Sequence, residues 1–76
     1  MTQLDIKMRV GLRIKELRNE LGYSQETIAY SIEMSRTYFA EVETGKRNIS
    51  IEKIDRIAQG LGVSLKESFN SDLFVK

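Results

Sequence analysis

The run Ser35-Arg36-Thr37-Tyr38 is followed by Ala40, Glu41 and Thr44. Placed on one helix at about 100° per residue, Phe39 and Val42 turn one way while Thr37, Ala40, Glu41 and Thr44 turn the other. Arg36 and Tyr38 flank that outward face at its N-terminal end, where long side chains reach forward. A guanidinium can bond a guanine bidentately, and Thr or Ala can meet a thymine methyl group. The small side chain of Ala40 at the centre leaves room for entry into a groove. An ordinary solvated helix face is the competing reading of the same residues.

Other chemistries are poorly supplied. The 76 residues include no Cys and no His, which removes the usual zinc ligands, thiol chemistry and any nucleophile with a histidine base. Carboxylates remain, but a chain this short offers them little cleft. No enzyme activity, metal, cofactor or small-molecule substrate is expected. The net charge is only +1, from 12 basic and 11 acidic residues, a weak argument for nucleic acid on its own. No apolar run approaches the ~20 residues of a membrane span. The stretch Met1-Thr2-Gln3-Leu4-Asp5 carries no apolar signal core, so a cytoplasmic protein is expected.

The elements that would position the helix can be read from apolar spacing and punctuation. Ile6, Val10, Ile14, Leu17 and Leu21 recur at intervals of four and three, which predicts a first helix from about Asp5 to Leu21, closed by Gly22. Ser24 is an N-cap for a second helix with Ile28, Ala29 and Ile32 inward. Ser35 caps a third, with Phe39 and Val42 inward and Gly45 at its end. Ser50 precedes Ile51, Ile54, Ile57, Ala58 and Leu61, which Gly62 follows. Ser64 opens a short fifth helix with Leu65. All these apolar residues are expected in the core. The expectation is an all-α, compact five-helix domain spanning residues 1–76. Between Ile32 and Ser35 there is room only for a tight turn, so helices two and three must cross steeply with Ala29 at the crossing. That is the helix-turn-helix plan, in which the second helix of the pair enters the major groove.

Joint order and spacing add a resemblance. Ser24-Gln25-Glu26-Thr27-Ile28-Ala29, Ser35-Arg36-Thr37-Tyr38-Phe39 and Val42-Glu43-Thr44-Gly45-Lys46-Arg47 resemble the phage repressor/Cro type of helix-turn-helix, a lambda-repressor-like domain. Arg13-Ile14-Lys15-Glu16-Leu17-Arg18 upstream and Ile57-Ala58-Gln59-Gly60-Leu61-Gly62-Val63-Ser64 downstream extend the likeness over roughly residues 8–68. Ser-Arg-Thr-Tyr, with Lys-Arg-Asn-Ile-Ser after it, is most similar to controller proteins of restriction–modification systems. The resemblance implies that Arg36, Thr37 and Tyr38 read bases, with Ala40 and Glu41 on the same face. It implies phosphate binding by Gln25 and operator contact from the loop residues Arg47 and Asn48. Ser24, Ser35, Thr44 and Lys46 complete the expected backbone-contacting set. It also implies a buried ion pair between Arg18 and Glu43, a structural role. One residue departs from the pattern: the turn position that is often Gly is Glu33, which must either take a left-handed backbone at a cost of roughly 1 kcal/mol or shift the turn.

Charge is distributed unevenly. From Tyr23 to Gly45 there are one basic and four acidic residues, a balance of −3, whereas residues 1–22 and 46–62 each carry +2. Phosphate grip is therefore expected from the rim at Lys46 and Arg47, and base choice from helix three. The tail, Ser68 to Lys76, carries Phe69, Leu73, Phe74 and Val75. These either cover the edge of the core or build a two-fold interface. The controller resemblance implies the second, with Leu65, Phe69, Leu73 and Phe74 of residues 64–76 in a homodimer on a pseudo-palindromic, double-stranded operator. It further implies activation and then repression of the protein's own promoter. Glu26 and Glu33 are candidates for touching RNA polymerase. A phage-type repressor, an antitoxin and a protein-interaction module that has lost DNA contact are the alternatives.

Overall fold

The computed structural model describes residues 5–75. Helix α1 spans Ile6–Leu21, α2 Gln25–Ser31, α3 Arg36–Glu43, α4 Ile51–Leu61 and α5 Leu65–Ser68, and a 3₁₀ turn covers Asp72–Phe74. Five of these elements begin on the Ser or Asp expected from sequence. Ser24, Ser35, Ser50 and Ser64 each accept a hydrogen bond from the backbone N–H three residues on, and Asp5 does the same for Met8. Each satisfies one orphan donor of its helix. Gly22 and Gly62 close α1 and α4 with φ of 76° and 73°, and Gly45 at φ 77° follows α3.

One core joins the helices. Val10, Ile14 and Leu17 from α1 meet Ile28, Ala29 and Ile32 from the α2 region, Phe39 and Val42 from α3, and Ile57 and Leu61 from α4. Phe39 is fully buried at the centre. Ala29 is 1% exposed, which fits its place at the α2–α3 crossing. Gly11 has a different reason to be small. A Cβ there would lie 2.3 Å from the carbonyl oxygen of Val42, so α1 touches the C-terminal end of α3 backbone to backbone.

Four expected core residues are exposed. Ile6, Leu21, Ile51 and Leu65 are 52%, 45%, 66% and 37% exposed. All four sit in the first or last turn of their helices, where the apolar stripe runs past its packing partner. The 3₁₀ turn in the tail was also absent from the sequence expectation, because three residues show no period. At the turn between α2 and α3, Glu33 takes φ 55°, the one positive φ outside Gly among the described residues. The chain keeps the family geometry and accepts the steric cost rather than shifting the turn.

Candidate nucleic-acid interface

The buried side of α3 is held by a network of charges. Arg18 Nε lies 2.6 Å from Glu43 Oε2 and its Nη2 lies 3.1 Å from Oε1. Arg18 Nη1 also donates to the Tyr23 carbonyl at 2.7 Å. Gln25 Nε2 donates to Glu43 Oε1 at 2.9 Å. Glu43, on the last turn of α3, thus ties α1 and α2 to one carboxylate, and Arg18 extends the tie to the loop after α1. Hydrogen bonding to Glu43 raises the Arg18 pKa above its already high ordinary value, against the opposing effect of burial. The guanidinium is therefore charged throughout the neutral range, and each charge needs the other.

The opposite side of α3 faces solvent. Arg36 and Thr37 are exposed, and Ala40 and Glu41 are half-buried. Together with Gln25, Thr44 and Lys46 they line one shallow groove. Seven residues expected to touch DNA are thereby gathered on one surface. In and beside it, several polar atoms already have partners. The Ser24 hydroxyl accepts from the Thr27 amide at 3.1 Å, and the Ser35 hydroxyl accepts from the Tyr38 amide at 2.9 Å. Thr44 Oγ1 donates back to the carbonyls of Ala40 and Glu41. The Gln25 amide group leans inward to Glu43, so only part of its donor capacity faces out.

Tyr38 does not reach forward as its place at the start of α3 suggests. It is half-buried and packs on the core. Arg47 stacks on its ring at 5.1 Å from the centroid, and Lys53 of α4 lies 4.4 Å from the same centroid. Arg47 Nε also donates to Glu41 Oε1 at 2.8 Å. Lys46 and Asn48 are exposed beside this cluster. Lys53 was missed by sequence reasoning. It lies beyond the loop, on the next helix, and only the fold brings it beside α3.

The tail is partly spent on the chain's own core. Arg13 donates to the carbonyls of Ser68 and Glu67 at 3.1 and 2.9 Å, and it pairs with the Glu16 carboxylate. Arg9 reaches the Leu73 carbonyl at 3.4 Å. Phe69 and Phe74 meet edge to face at 5.1 Å, and Phe74 packs against the core. Leu73 and Phe74 are consequently half-buried, while Leu65 and Phe69 remain 37% and 36% exposed. The core-edge expectation is met at Phe74, which packs on the core, while Leu65 and Phe69 stay exposed. Glu26 and Glu33 are exposed. No helix among the described residues is long and apolar enough to cross a membrane.

Known proteins share this arrangement. The helix-turn-helix family matches residues 14–68. The control protein C.MunI of Mycoplasma sp is 45% identical over 67 residues, 87% of this chain and 90% of its own length. The crystal structure of the restriction–modification controller protein C.AhdI from Aeromonas hydrophila has a TM-score of 0.78 at 39% identity, covering 82% of this chain and 94% of that one. The controller protein C.Esp1396I, solved as a tetramer in complex with its natural 35-base-pair operator, has a TM-score of 0.78 at 37% identity and covers 82% of each chain. By family match, by identity over most of both chains and by shared architecture, this chain belongs to the helix-turn-helix family, among the controller proteins of restriction–modification systems.

Proposed function

We propose that this protein binds double-stranded DNA sequence-specifically as a homodimer and regulates transcription in the cytoplasm, controlling a restriction–modification system through its own promoter. The observation that carries the reading is the outward groove of α3, with Arg36, Thr37, Ala40, Glu41 and Thr44 beside the cation Lys46. In this reading Arg36, Thr37, Ala40 and Glu41 face base edges, while Tyr38, packed on the core, backs Arg47 instead of reading a base. Lys46, Arg47, Asn48 and the outward donor of Gln25 meet the backbone, and Lys53 extends the same basic rim. Because the Ser24, Ser35 and Thr44 hydroxyls are used within the chain, their part is to hold helix ends and backbone donors in place.

Pairing follows from Leu65 and Phe69, the more exposed of the four tail residues, with Leu73 and Phe74 supporting them from below. Footprinting on the DNA upstream of the gene tests the whole reading. The expected result is protection of two related half-sites about one helical turn apart, bound by a species of dimer mass in sedimentation equilibrium. A monomer at tens of micromolar, or protection without two-fold symmetry, refutes it. A methyltransferase and an endonuclease in neighbouring reading frames would separate this reading from a phage-type repressor. Contact with polymerase is assigned to exposed Glu26 and Glu33. Their replacement by Gln should lower promoter activation while leaving the footprint intact, and unchanged activation sinks that assignment.

A further inference from the structure

The base-reading face of α3 carries one cation's counter-charge within itself. Glu41 is the only acidic residue lining the groove. Its carboxylate is 2.8 Å from Arg47 Nε, with the two side chains 35% and 50% exposed. The Tyr38 ring backs Arg47 from the other side. Arg47 therefore rests on the protein's own surface, neutralised and stacked. Glu41 holds Arg47 through Nε alone, so a phosphate that takes up the whole guanidinium charge must separate it from Glu41.

That separation has unequal consequences for different DNA. On an arbitrary sequence it leaves a carboxylate facing the negative duplex with no partner. On a sequence placing a cytosine opposite Glu41, the carboxylate can accept from the cytosine N4 amino group, its usual base partner, whereas guanine and thymine offer it no amino donor in the major groove. Resting on the reading of α3 as the DNA-facing helix, we propose that Glu41 is a specificity-determining residue that withholds Arg47 from non-operator DNA and releases it where a cytosine amino group takes its place. The segment's balance of −3 fits this role. A recognition unit poor in free cations gains little from phosphate attraction alone.

The test is a double-mutant cycle of Glu41→Gln and Arg47→Gln, read by fluorescence anisotropy over a range of salt. The probes are a labelled duplex carrying the footprinted site and a duplex of equal length and composition with the sequence scrambled. Wild-type protein that fails to prefer the footprinted duplex overturns the DNA reading itself, before any variant is compared. Given that preference, Glu41→Gln should tighten binding to the scrambled duplex about two- to fivefold, the scale of one exposed ion pair. It should steepen the salt dependence there by up to about one unit of log slope, one added phosphate contact. Affinity for the footprinted duplex should fall, because the carboxylate's contact to the base is weakened, so the ratio between the two narrows. In the Arg47→Gln background the tightening should largely vanish. Equal tightening on both duplexes, or the same tightening with and without Arg47, overturns the proposal in favour of simple bulk repulsion by Glu41.

Discussion

Two Arg–Glu pairs lie on opposite sides of α3, at nearly the same separation and in opposite surroundings. Arg18–Glu43 closes at 2.6 Å with the Glu43 side chain 1% exposed. Arg47–Glu41 closes at 2.8 Å with its side chains 50% and 35% exposed. Distance alone would rank them together. Burial separates them, because water replaces a lost partner at the surface and cannot do so in the core. The buried pair therefore acts as a fastening that sets where α3 lies. The exposed pair is an arrangement that a ligand can rearrange. A recognition helix needs both, a fixed axis and side chains free to change partners.

The harshest way to break the comparison is to remove the buried carboxylate. Glu43→Ala leaves Arg18 charged and uncompensated and strips Gln25 of its acceptor, and should cost about 3–5 kcal/mol of folding stability. Urea unfolding at neutral pH measures it. Replacing Arg18 and Glu43 together by Leu should cost clearly less than the two single changes added, since no lone charge then remains. If the costs simply add, the pair is not coupled and the contrast with Arg47–Glu41 fails. The pH dependence has a definite sign. A raised Arg18 pKa means its stabilising contribution is fully present below the unfolded-state value and is lost only as pH rises through the folded value. That window lies in strong alkali, so Arg18 adds no pH dependence near neutrality.

Much of this was legible beforehand, and the reasons are local. Ser24, Ser35, Ser50 and Ser64 mark helix starts because a hydroxyl three residues before a bare N–H is a short-range requirement. The pairing of Arg18 with Glu43, 25 positions apart, is different. Nothing in composition or period links them, and only the family resemblance pointed to it. Ile6 and Ile51 were misplaced because periodicity reports a helix's face and not where its partner ends. Tyr38 and Lys53 escaped for a related reason. Their proximity depends on how α4 follows the loop after α3, a tertiary fact without sequence period. Glu33 was the position where a local rule, Gly for positive φ, gave way to the demands of the α2–α3 crossing.

An intermediate effect probes the face between the two pairs. Arg36 is exposed, lines the groove and makes no ion pair among the described residues. Arg36→Ala should lose about 1–3 kcal/mol of operator affinity and relax base choice at one position, while leaving stability nearly unchanged. A systematic set of single-base operator variants reads this directly. A uniform loss over all of them would make Arg36 a phosphate contact, and the groove would then owe its selectivity to other residues.

The smallest expected effect is the most telling one for the contrast. Arg47→Ala removes a charged partner at 2.8 Å, yet it should change folding stability by less than about 0.5 kcal/mol. Glu41 keeps its access to water, and Tyr38 retains the Lys53 ammonium at 4.4 Å. Urea unfolding run beside the Glu43→Ala measurement makes the two pairs directly comparable. A loss near that of Glu43→Ala would mean the outer pair is a second fastening, holding the loop after α3 onto the core. Arg47 could then not leave Glu41 without partial unfolding, and a duplex would meet a rigid, half-neutralised surface. A negligible loss accompanied by weaker operator binding gives the opposite physical picture: the same two side-chain types, on opposite sides of one helix, divided by solvent into one pair that builds the helix's position and one that gives up its bond to the ligand.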